Sequence, residues 1–80
     1  MTPEEIKRIL ETEIPGSKVQ VEGDGRHFNL VVVGEAFEGL RKVKRQQLVL
    51  GALREQFDNG EIHAVDNMLT FTPTEWAERA

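Results

Sequence analysis

Two alternating runs joined by Gly23-Asp24-Gly25-Arg26 constrain the fold of this 80-residue chain more than any other feature. From Lys18 the apolar residues fall at every second position, with Val19 and Val21 opposite Lys18, Gln20 and Glu22, as in a half-buried strand. Asp-Gly supplies the positive backbone angle of a tight hairpin, so the next run, His27 to Gly34, returns antiparallel to the first. In it Phe28, Leu30 and Val32 share one face, while Val31 and Val33 make the other partly apolar, the mark of a central strand. His27 stands at its entrance, directly after the turn.

Helical patterns flank this hairpin. Thr2-Pro3-Glu4-Glu5 carries a cap, a proline at the first helical position and the acid of a capping box. Ile6, Ile9 and Leu10 then form one apolar stripe, which Pro15-Gly16 ends. In the connector Gly34 to Gly39, Phe37 is the anchor. The longest helical stretch runs from Leu40 to Asn59, with Val43, Leu50, Leu53 and Phe57 expected on its buried face and Gln47 where another apolar residue would fit. Gly51 costs a helix about 1 kcal/mol relative to alanine, so it implies either close packing on the sheet or a break into two helices. Asn59-Gly60 is a helix stop. A third strand follows, carrying Ile62, Ala64 and Val65, an Asp66-Asn67 step that reads as a candidate bulge, and Met68 to Phe71. Thr72-Pro73-Thr74-Glu75 repeats the first start signal and opens a short last helix anchored by Trp76. The expectation is one α+β domain over residues 1–80, ordered helix, strand, strand, helix (whole or broken), strand, helix.

This order bears on the two histidines. A crossover from the second strand through the long helix to the third joins parallel strands, which places both strand entrances at one end. Neighbouring strands lie about 4.8 Å apart, so His27 and His63 would meet on one rim. Ile62 and Ala64 turn to the core in this arrangement and His63 points outward. Such a residue is either a solvated histidine or a ligand. Two imidazoles, with no cysteine and no third histidine, are an incomplete site for zinc or an iron-sulfur cluster, each of which takes four ligands as a rule. A partner would have to supply the rest.

Composition excludes several alternatives. The net charge of -4 argues against bulk affinity for nucleic acid or anionic membranes, and no segment approaches the roughly 20 apolar residues of a membrane span. A chain without cysteine has no disulfide, no thiolate nucleophile and no thiolate metal site of its own, which suits a reducing cytoplasm. Catalysis finds no footing either: Ser17, the only serine, adjoins no histidine, and the acidic pairs Glu11/Glu13 and Glu35/Glu38 have ordinary surface spacing. The one concentrated positive run is Arg41, Lys42, Lys44 and Arg45. It reads as a solvated helix face, or as a source of weak, salt-sensitive phosphate contacts.

Gly23-Asp24-Gly25-Arg26-His27-Phe28, Gly34-Glu35-Ala36-Phe37-Glu38-Gly39, Val43-Lys44-Arg45-Gln46-Gln47, Ile62-His63-Ala64-Val65 and Thr72-Pro73-Thr74-Glu75-Trp76, in this order and spacing, resemble the BolA family in its IbaG-like bacterial branch. The resemblance implies a class II KH-like fold with a three-stranded mixed sheet and helices packed on it. It further implies a monothiol glutaredoxin as partner and a 2Fe-2S cluster shared with it. In that arrangement the glutaredoxin cysteine and the cysteine of glutathione are two ligands, and His63 and His27 of this chain are the others, similar to the mixed ligation of Rieske centres. Alone, the chain would carry no cofactor and would be a monomer or weak homodimer. Two features depart from the pattern. Lys44-Arg45-Gln46 stands where many BolA proteins have Arg-His-Arg, and Gly39-Leu40-Arg41-Lys42 keeps only the first glycine of the KH loop. The alternative that the resemblance keeps open is a DNA-binding regulator acting through Arg41, Lys42, Lys44 and Arg45.

Overall fold

The hairpin expected from the alternating runs is the centre of the structure, a computed structural model that describes residues 1–79. Strand β1 (Lys18–Gly23) pairs antiparallel with β2 (His27–Val33), from Lys18 opposite Val33 to Gly23 opposite Phe28. Strand β3 (Ala64–Phe71) pairs parallel with β2 on its other side, so β2 is the middle strand of a mixed sheet in the order β1-β2-β3. Around it stand α1 (Pro3–Glu13), a 3-10 turn (Glu35–Phe37), α2 (Lys42–Ala52), α3 (Arg54–Asp58) and α4 (Pro73–Glu78). Among the described residues no helix is long and apolar enough to cross a membrane.

Local chemistry explains why each element starts where it does. At α1 the Thr2 hydroxyl accepts from the Glu5 amide, and the Glu5 carboxylate accepts from the Thr2 amide. Thr72 and Glu75 repeat this capping box at α4. The turn between β1 and β2 rests on Asp24, whose carboxylate accepts from the amides of both Arg26 and His27 at 2.9 and 3.0 Å. Gly23 is required just before it, because a Cβ there would stand 2.4 Å from the His27 carbonyl oxygen. The outward amide of Val19 on edge strand β1 is taken by the Glu11 carboxylate at 3.2 Å, which ties α1 to the sheet.

The core forms where α1 and α2 cover one face of the sheet: Ile6, Leu10 and Ile14 from α1 and its end, Val19, Phe28, Leu30 and Val32 from the hairpin, and Phe37, Val49, Leu53 and Ile62 from the connections. Phe37 is wholly buried and anchors its loop, as expected from the sequence.

The long helix is where expectation and structure part. It breaks at Leu53 into α2 and α3, and Gly51 is exposed with nothing within 4 Å of where its Cβ would be, so the break, not close packing, accompanies this glycine. The buried face is also different. Arg45, Val49 and Leu53 point inward, whereas Val43 and Leu50 are 62% and 40% exposed. Only Leu53, with a half-buried Phe57, survives from the expected stripe. The helix is rolled by the burial of a charged residue, and apolar spacing alone does not report such a residue.

The two faces should differ sharply in mutational cost. Leu53→Ala is expected to destabilise the fold by about 2–5 kcal/mol and Leu50→Ala by less than ~1 kcal/mol, read from urea unfolding midpoints.

Candidate functional site

The parallel pairing of β2 and β3 brings His27 and His63 to one rim, as the topology required. His27 is opposite Ala64 in the register, and His63 is the residue just before the strand. The β3 strand thus begins two residues later than its alternation indicated, at Ala64 and not Ile62, but the pairing extends back before its start. The Arg26 carbonyl accepts from the amides of both His63 and Ala64, each at 3.1 Å. The Gly60 turn sets the approach to this point: Asn59 Oδ1 accepts from the Glu61 amide at 2.9 Å, and the Gln56 carbonyl accepts from the Ile62 amide at 3.0 Å. Ile62 is buried, and His63 beside it is exposed.

The two imidazoles lie with ring centroids 6.1 Å apart at an interplanar angle of 37°. His27 Nδ1 is 3.1 Å from Asp66 Oδ1, with both side chains about half exposed. Asp66 sits at the irregularity in β3: Phe28 pairs with Val65 and Asn29 with Asn67, so Asp66 is the extra residue of a bulge. The sequence marked the Asp66-Asn67 step as a bulge but carried no sign of its contact with His27, which is 39 positions away. Among the described residues no group of three or more His, Cys, Asp or Glu side chains is arranged to hold a metal ion. The rim offers two imidazoles and no complete site.

The basic run does not act as one patch. Arg41, Lys42 and Lys44 are exposed, but Arg45 is buried. Its guanidinium donates to both oxygens of Glu75 at 2.7 and 3.2 Å, and its Nε donates to the Leu40 carbonyl at 2.8 Å. It also lies 5.9 Å from the centroid of the Phe37 ring. Arg45 is therefore the strut that joins α2 to α4, with its charge spent on Glu75. The hydrogen bonds from Arg45 and the Thr72 amide hold the Glu75 carboxyl down at about 2. Glu75 was legible in the sequence only as half of a capping box.

A family model described as BolA-like protein matches residues 6–75 of the chain. The acid stress protein IbaG of Escherichia coli strain K12 is 43% identical over 77 residues, which cover 96% of this chain and 90% of that protein. The structure of a bolA protein homologue from Coxiella burnetii matches with a TM-score of 0.88 at 38% identity, over 98% of this chain and 99% of that one. The BolA domain of SufE1 from Arabidopsis thaliana matches with a TM-score of 0.79 at 30% identity, over 91% and 93%.

The Arg45–Glu75 strut predicts a pH dependence. Because the folded carboxyl of Glu75 sits at about 2 and its ordinary value is 4.5, its contribution is fully present above about pH 4.5 and is lost as pH falls towards 2. Glu75→Gln is expected to lower the urea midpoint at neutral pH and to flatten its decline across that acid window.

Proposed function

The chain belongs to the BolA family, and on that premise we propose that it is a non-enzymatic iron-sulfur adaptor, which docks on a monothiol glutaredoxin and lends His63 and His27 to a 2Fe-2S cluster shared with that partner and its glutathione. The observation that carries the reading is the convergence of two exposed imidazoles, ring centroids 6.1 Å apart, on one rim of the sheet. Their chemistry fits half of such a centre. Imidazole nitrogen is a ligand for iron in mixed histidine and thiolate clusters, and the thiolates that this cysteine-free chain lacks are what the partner and glutathione provide. When bound, the cluster supplies a one-electron redox centre and a transferable iron-sulfur unit.

The chain's own contribution is to hold the two nitrogens at the edge of a rigid sheet. Both histidines are fixed through the main chain, His27 by Asp24 and His63 by the Arg26 carbonyl, so the rings are presented by one turn. Ligation requires unprotonated imidazole, which fits with the name of the E. coli relative, an acid stress protein. Nucleic-acid binding has less to stand on. With Arg45 paired to Glu75, the basic run keeps Arg41, Lys42 and Lys44 for phosphate contacts, which would be weak and sharply salt-dependent.

The test is an anaerobic titration of a cluster-loaded monothiol glutaredoxin with this chain, followed by visible absorption and circular dichroism. A heterodimer with a new spectrum is expected, altered by His63→Ala and by His27→Ala. An unchanged glutaredoxin spectrum without heterodimer, while the partner keeps its cluster, would overturn the reading.

A further inference from the structure

Asp66 is carried out of the regular ladder by the bulge: Val65 and Asn67 keep partners on β2, and the residue between them does not. On the far side of the bulge the ladder is pinned by the side-chain bond from Asn67 Nδ2 to Asn29 Oδ1 at 2.9 Å. A bulge bends a strand and re-aims a side chain, and here the re-aimed carboxylate stands 3.1 Å from His27 Nδ1. The backbone of His27 is held independently by Asp24, so the contact with Asp66 acts on the ring and not on the fold of the turn.

We propose that Asp66 is a positioning residue that selects the tautomer of His27, keeping the proton on Nδ1 and leaving Nε2 as the bare nitrogen that faces a metal; the metal part of this proposal rests on the ligand role of His27 given above. The chemistry follows from the donor inventory. A neutral imidazole has one N–H donor and one acceptor nitrogen, whereas a carboxylate only accepts. Contact between Nδ1 and an ionised Asp66 therefore places the hydrogen on Nδ1 and the lone pair on Nε2. Free histidine in water favours the opposite arrangement, with the hydrogen on Nε2, so the carboxylate reverses an intrinsic preference. Orienting contacts of this kind are the usual companions of metal-bound histidines, where they fix the ring and raise its basicity. His63 serves as the internal comparison, because the carboxylate touches the other ring.

Long-range 1H–15N correlation spectra of the free chain, with both imidazoles neutral, test the tautomer directly. In the natural chain His27 is expected as the Nδ1–H form. In Asp66→Ala the Nδ1–H form becomes the minority, Asp66→Asn restores part of it through its amide oxygen, and His63 keeps its pattern throughout. A His27 that is already Nε2–H in the natural chain, or a Nδ1–H population unmoved by Asp66→Ala, would overturn the proposal. The ligand reading fails separately: His27→Ala would then leave the glutaredoxin heterodimer spectrum unchanged even though the His27 tautomer responds to Asp66, and the metal part of the proposal would fall with it. If His27 is a ligand, Asp66→Ala shifts the heterodimer spectrum in the same direction as His27→Ala but by less.

Discussion

The candidate site depends on one carbonyl. The oxygen of Arg26, the last residue of the hairpin turn, accepts from the amides of His63 and Ala64 and so carries the parallel pairing of β2 and β3 back before the start of β3. Without it the first turn-to-strand contact between the two halves of the molecule would be lost, and the two histidines would have no common frame. Arg26 can present that oxygen because Asp24 takes the amides of Arg26 and His27 and Gly23 leaves room for the returning chain. A turn of four residues therefore fixes one histidine through its own backbone and receives the other through its carbonyl.

The opposite end of the sheet is organised by charge. Arg45 enters the boundary between α2, the end of β3 and α4 because Glu75, the Leu40 carbonyl and the face of Phe37 together satisfy it. A buried guanidinium is tolerated only when paired and hydrogen-bonded, and here Glu75 is doubly employed, capping α4 and receiving Arg45. The roll of α2 that results leaves Val43 and Leu50 on the outside. The β2–β3 pairing thus has one end committed to structural charge pairing and the other to exposed imidazoles.

Much of this was legible in the sequence. Alternation of apolar residues gave the hairpin and its central strand, two capping boxes gave the starts of α1 and α4, and the parallel crossover followed from element order, which was enough to place His27 and His63 together. What escaped were effects that depend on distant partners. The burial of Arg45 requires Glu75, 30 positions away, and spacing by itself assigned that helix the wrong face. The contact between Asp66 and His27 requires the bulge to release a side chain, and a bulge can be suspected from two polar residues without showing where the freed side chain goes. Gly51 allows either close packing or a break, and a weakly amphipathic stretch neither decides between them nor fixes the break at Leu53.

The central claim is that both imidazoles of this chain reach the same shared cluster. It is tested most directly by pulsed EPR of the reduced heterodimer, with 15N-histidine in this chain only and natural-abundance nitrogen in the glutaredoxin. Two distinct couplings of directly bound 15N, one removed by His27→Ala and the other by His63→Ala, are the predicted result. A heterodimer whose cluster carries no bound 15N would contradict the account, and a single coupling would leave the rim with one ligand and contradict the paired assignment.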